Sequence, residues 1–222
     1  MIESGQRESR GMRIKVCGMT QLEQVLELDE MGVDFAGFIF YPKSPRYVGR
    51  SITGEELKRS RLKLGKVGVF VNASYEEIMR TVEGYGLDMV QLHGDETVRF
   101  CEELANNITV INVFRLSEND PIDYLIKPFM DACDMFLFDT EGAGYGGTGK
   151  KFNWDVLKQA LIDKLFFLGG GIEPTDVEQL KEFSYEPVAK KLFSIDINSK
   201  FELNAGVKDM EKLKVFINAL RR

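Results

Sequence analysis

From Arg13 onward the chain repeats one pattern: a short apolar run, a turn, then a segment whose apolar residues recur at helical spacing. The runs fall at residues 14–17, 35–40, 66–71, 89–93, 109–114, 135–139, 165–168 and 192–197. The run at 35–40, FAGFIF, is apolar nearly throughout, as a strand covered on both faces should be. Helical spacing follows the first run at Leu22, Val25, Leu26 and Met31, with Gly32 as a stop. A helix from about Ser74 carries Ile78, Met79 and Val82, and another carries Val98, Cys101 and Leu104, with Asp95 as the expected N-cap. Helices are also expected at 119–130, from Asn153, from Pro174 and over 209–220. Strand-then-helix units in this number, with no stretch resembling a linker, predict a single α/β domain, a (β/α)8 TIM barrel over residues 13–222. An open doubly wound sheet is the alternative. Residues 1–12 lack periodicity and read as a disordered extension or a cloning remnant.

Composition narrows the function. A net charge of -6 argues against a broad polyanion-binding surface, so nucleic acid is not an expected partner. No apolar run reaches membrane-spanning length and the first dozen residues are not signal-like, so a soluble, cytoplasmic protein is expected. Three widely spaced cysteines, Cys17, Cys101 and Cys133, suit free thiols rather than a disulfide framework or a metal site. With His93 as the single histidine, a histidine-based metal centre or a Ser-His-Asp triad is disfavoured.

Chemistry in parallel α/β folds gathers at the carboxyl ends of strands. Cys17 ends the first run and Asp139 the sixth. A cysteine is more often a small core residue, but this position also suits a proton-transfer group. An acid closing an apolar run is not what packing alone selects. His93 ends the fourth run and reads equally as a ligand contact or as a structural residue bonded to a loop carbonyl. Arg46 sits on a loop stiffened by Pro42 and Pro45, where it suits either a bidentate grip on an anion or an ordinary surface charge. Cys101 reads as packing on its helix, and Cys133 as a turn residue at the opposite end of the barrel.

Two glycine-rich loops differ in meaning. Gly144 to Lys150 satisfies G-x-x-x-x-G-K, but Lys151 stands where a P-loop requires Ser or Thr, which argues against nucleotide hydrolysis. After the seventh run, Gly169-Gly170-Gly171 precedes Pro174 at a helix start, which exposes backbone amides to an anion beside a positive helix end. The residues thus suggest an enzyme for a small phosphorylated molecule that uses a thiol and a carboxylate.

Val16-Cys17-Gly18-Met19-Thr20, Ser44-Pro45-Arg46, Gln91-Leu92-His93-Gly94, Phe138-Asp139 with Gly146-Gly147-Thr148-Gly149, and Gly169-Gly170-Gly171-Ile172 with Pro174 run in the order found in another group. In these motifs the chain resembles the phosphoribosylanthranilate isomerase family of tryptophan biosynthesis, from Arg13 to the end. The resemblance implies a (β/α)8 barrel and an Amadori rearrangement that needs neither cofactor nor metal. It implies Asp139 as general acid and Cys17 as general base. It further implies Arg46, His93 and Asp196 in the substrate pocket, and Gly170, Gly171 and Ser199 at the substrate phosphate. The partner is then a phosphorylated small molecule, with the chain a monomer or homodimer. Where the family usually reads Asp-x-Ser-Ser-Gly-Val-Glu after the eighth strand, this chain has Lys200 in place of the glycine. A sugar isomerase of histidine biosynthesis, which uses two aspartates, is the nearest rival, and Cys17 argues against it. A non-catalytic phosphate-binding barrel is the other.

Overall fold

The computed structural model describes residues 11–117, 119–140 and 153–222. The apolar runs become eight parallel strands: β1 (Ile14–Val16), β2 (Phe35–Ile39), β3 (Gly65–Phe70), β4 (Met89–Leu92), β5 (Thr109–Leu116), β6 (Met135–Thr140), β7 (Phe166–Leu168) and β8 (Leu192–Ile197). Each strand pairs with the next, and β1 closes on β8 with Lys15 opposite Asp196. The sheet is therefore a closed barrel in sequence order, and the open-sheet alternative is excluded.

Alternation along each strand divides the core into two. Phe35, Val67, Ile111, Val113, Leu137 and Phe167 form the filling of the barrel. The alternate strand positions, among them Val16, Phe38, Phe136, Phe138 and Phe166, form the layer between sheet and helices. Each such fully buried aromatic contributes on the order of 1.5–3 kcal/mol of hydrophobic stabilisation. Edge-to-face contacts, such as Phe114 on Phe136 at 5.1 Å, add orientation to it. The same alternation sets the site: inward positions beyond the filling on β4 and β6 are Gln91, His93 and Asp139.

Seven α-helices surround the barrel: α1 (Leu22–Glu30), α2 (Gly54–Arg59), α3 (Tyr75–Tyr85), α4 (Val98–Ala105), α5 (Ile122–Ile126), α6 (Val177–Ser184) and α7 (Met210–Leu220), among the described residues. Helix α2 was not anticipated. Its signal is Thr53-Gly54-Glu55-Glu56, a capping box in which Thr53 accepts from the Glu56 amide and Glu56 accepts from the Thr53 amide. The N-cap of α4 is Thr97 rather than Asp95, because Thr97 accepts from the Phe100 amide. Asp95 instead pairs with Arg115.

The helix expected over 119–130 is shorter, with α5 passing into a 3-10 turn at Lys127–Phe129. The segment after Asn153 is likewise a 3-10 helix, Trp154–Gln159, and Pro174 opens a 3-10 turn that leads into α6. A short hairpin, β9 (Glu202–Asn204) with β10 (Val207–Lys208), follows β8 and was not foreseen. Cys101 lies on the buried face of α4, as its spacing suggested. Cys133 is buried too, with its sulfur against the Phe129 and Met135 carbonyl oxygens, so it is not an open turn thiol. The expected extension, up to residue 10, and the glycine-rich loop at 141–152 lie outside the described residues. Among the described residues no helix is long and apolar enough to cross a membrane.

Candidate active site

Cys17 follows β1 directly, and its amide donates to the Ile197 carbonyl, which ties the end of β1 to the end of β8. Gly18 then turns the chain with φ +75°, a conformation that suits glycine. A Cβ at Gly18 would lie 2.7 Å from Arg46 Cδ and 2.8 Å from Asn198 Oδ1, so the bare glycine lets both side chains lie across the turn. Gly37 on β2 makes room in the same way for the thiol, since a Cβ there would lie 2.8 Å from Cys17 Sγ and 3.2 Å from Lys15 Cε.

Two polar chains converge on this thiol. Lys15 is fully buried, with Nζ 2.8 Å from Asp196 Oδ1. Arg46 grips Glu202 as a fork, with Nε donating to Oε1 at 2.9 Å and Nη2 to Oε2 at 2.7 Å. Glu202 also accepts from Lys208 Nζ at 2.8 Å, and the same ammonium donates to Asn198 Oδ1. Arg46 is thus not a surface charge, since its side chain is only 13% exposed. Lys15, Lys208 and Glu202 are members of the site that sequence reasoning missed as functional residues. For Lys15 a signal existed: it stands two residues before Cys17 on a strand, hence on the same face.

Asp139, at the end of β6, accepts from its own neighbour's amide, Thr140, at 2.8 Å. His93 Nε2 lies 3.7 Å from Asp139 Oδ2, and His93 Nδ1 lies 3.3 Å from Gln91 Nε2. Gly170 and Gly171, in the turn after β7, both have positive φ. Ser199 opens a 3-10 turn after β8, and Lys200 reaches across to Glu173, Nζ to Oε2 3.6 Å. The lysine at the family's glycine position is therefore turned toward an acid next to the β7 turn.

Burial dominates the electrostatics. It pushes the Asp139 carboxyl above its usual value, against the Thr140 amide and the positive charges of Lys15 and Arg115. Burial, then Arg115, lowers His93 to about 4, so the imidazole is neutral at pH 7 and its approach to Asp139 is not an ion pair there. Burial works to lower Lys15, but Asp196 and then Cys17 outweigh it and keep the ammonium charged. The Cys17 thiol is pushed up by burial, with Lys15 as the largest influence in the other direction. At 5% exposure the sulfur is also almost closed off from solvent. Among the described residues no cluster of three His, Cys, Asp or Glu side chains could hold a metal ion.

Comparison with known proteins gives the same picture. Residues 14–219 match the family model described as N-(5'-phosphoribosyl)anthranilate (PRA) isomerase. The N-(5'-phosphoribosyl)anthranilate isomerase of Parabacteroides distasonis is 38% identical over 211 residues, spanning 94% of this chain and 93% of that protein. The crystal structure of phosphoribosyl anthranilate isomerase from Thermotoga maritima superposes with a TM-score of 0.78 at 33% identity, covering 94% of this chain and 98% of that one. A phosphoribosyl anthranilate isomerase in complex with reduced 1-(o-carboxyphenylamino)-1-deoxyribulose 5-phosphate superposes at 0.74 with 30% identity and the same coverage. Barrel, mouth and relatives together define a (β/α)8-barrel isomerase. The chain belongs to the N-(5'-phosphoribosyl)anthranilate isomerase family, and so to the enzymes of tryptophan biosynthesis.

Proposed function

We propose that the chain rearranges N-(5-phosphoribosyl)anthranilate to 1-(2-carboxyphenylamino)-1-deoxyribulose 5-phosphate, with Asp139 as general acid and Cys17 as general base. The observation that carries this reading is the placement of one carboxyl and one thiol at the ends of β6 and β1 of one closed barrel. An acid must hold its proton near neutral pH, and burial moves Asp139 in that direction. Asp139 protonates the furanose ring oxygen, and the ring opens to an iminium at C1. Cys17 then removes the proton from C2. The C–H electron pair becomes the C1–C2 double bond while the iminium pair moves to nitrogen, and the enolamine tautomerises to the ketone. The substrate's own nitrogen is the electron sink, so two groups suffice for the proton traffic.

The remaining roles follow from place. Gly171 and Ser199 flank the turns after β7 and β8 and suit the phosphate. Gly170, in the same turn and also at positive φ, suits it too. Arg46, held in plane by Glu202, presents its charge to the anthranilate carboxylate. Neutral His93 and Asp196 line the walls. The test is turnover by the purified protein, followed as loss of anthranilate ribotide fluorescence, with the aminoaldose ribotide of histidine biosynthesis as control. Turnover of the first substrate is expected; absence of turnover, or preference for the second, would overturn the reading.

A further inference from the structure

Lys15 poses a question that stability does not answer. A buried ammonium-carboxylate pair inside a barrel has lost its hydration, and well-packed apolar residues of similar volume are often as stable or more so. The filling directly below it is apolar, with Phe35 as the β2 partner of Lys15 in register. What distinguishes the position is its neighbour. The Lys15 stem and the Cys17 sulfur occupy the same space left by Gly37, and the Lys15 ammonium, bonded to Asp196, lies close enough to the sulfur to act on its charge.

We propose that Lys15 is the positioning residue for the proton-accepting thiol, with its ammonium anchored by Asp196 and turned toward Sγ so that the thiolate is held and oriented at the barrel mouth. The inference rests on the reading of Cys17 as general base. In the step it serves, the proton passes from substrate C2 to Sγ, the thiolate becomes a thiol, and Lys15 keeps its own proton throughout. Lys15 lies beside the sulfur and acts through it rather than on the reacting carbon.

The charges around Cys17 support this. Lys15 lies on β1, Asp196 on β8, Lys208 on β10 and Arg46 on the loop after β2, while Glu202 on β9 joins the last two. Among the described residues this group holds three cations against two carboxylates, so it carries one positive charge that an anionic sulfur would balance. Across the mouth are His93, neutral near pH 7, and Asp139, with Arg115 behind them. Lys15 is the strongest of the influences that favour the anion, ahead of Lys208.

The experiment titrates Cys17 by thiolate ultraviolet absorbance, taking the difference from Cys17→Ser in each background. Lys15→Met should raise the midpoint by about one to three pH units, the range expected on losing an opposite charge in contact. Lys15→Arg should keep it within about half a unit of the wild type. The pH profile of kcat/KM for Lys15→Met should move upward with the titration, with activity recovered toward alkaline pH. Because Lys15→Met leaves Asp196 buried without its cation, Lys15→Met/Asp196→Asn is compared with Asp196→Asn alone, and the same upward displacement is expected. An unshifted midpoint in both comparisons would overturn the proposal. A fully active Cys17→Ser enzyme would instead overturn the base assignment while leaving the titration shift in place, so the two failures are distinguishable.

Discussion

Gly37→Ala is the substitution that the geometry around the thiol constrains most tightly. The added methyl would meet Cys17 Sγ at 2.8 Å, Cys17 Cα at 3.0 Å and Lys15 Cε at 3.2 Å. The sulfur and the lysine stem can yield, but the Cys17 backbone is tied by its amide to Ile197 and the Met19 amide to the Gly37 carbonyl itself. Overpacking of this kind costs about 1–3 kcal/mol. In a chain of this length that lowers the melting temperature by roughly 2–4 °C for each kcal/mol. The effect on chemistry should be larger, because the same methyl displaces the base. A misplacement of about 1 Å costs on the order of 10²-fold in rate. The assay pairs thermal denaturation with turnover of the anthranilate ribotide, and the signature is a modest loss of stability beside a large loss of kcat. A Gly37→Ala protein with wild-type kcat would refute the placement of the reactive sulfur in that space.

Two further predictions concern pH and phosphate. The unfolded chain takes up a proton on His93 near the ordinary value of 6.5 and the folded chain only at about 4, so stability that this group contributes at pH 7 is lost as pH falls from 6.5 toward 4. Denaturant titrations at pH 7 and 4.5 should show His93→Gln losing on the order of 2–3 kcal/mol less than wild type between the two, since the carboxylates common to both proteins cancel in the comparison; equal losses would place His93 in a solvated setting. Gly171→Asp puts a side chain at φ +74° and a negative charge at the β7 turn, and should weaken a phosphorylated product analogue roughly tenfold or more in calorimetric titration; unchanged affinity would move the phosphate elsewhere.

The barrel was legible because eight buried strands leave eight apolar runs, and periodicity reports burial directly. The features that escaped were those in which one local choice competes with another. At the start of α4, Asp95 and Thr97 both have side chains able to cap, and only the ion pair of Asp95 with Arg115 settles which of them does. The β9–β10 hairpin is held by long-range bonds: Lys208 exchanges backbone hydrogen bonds with the Gln24 side chain on α1, and Gly206 accepts from Thr20. No period within residues 202–208 encodes those partners. In the site, residue type at strand ends pointed to Cys17, Asp139 and His93, whereas nothing in the residue type of Lys15 or Lys208 singled them out. Their burial is a product of barrel closure, which brings Asp196 opposite Lys15, and of the hairpin, which carries Lys208 inward to Glu202. The depth of the Cys17 sulfur was not legible for the same reason, since position on a strand does not reveal how deep a side chain lies.

The central claim is that Asp139 delivers the ring-opening proton and Cys17 accepts the proton from C2. Its most direct measurement is kcat for Asp139→Asn and Cys17→Ser, each shown to be folded, alongside calorimetric affinity for a reduced product analogue. Loss of either group should lower kcat by about 10²- to 10⁴-fold or more while the analogue still binds within a few fold of wild type. Near wild-type turnover in either folded variant would contradict the assignment of that residue.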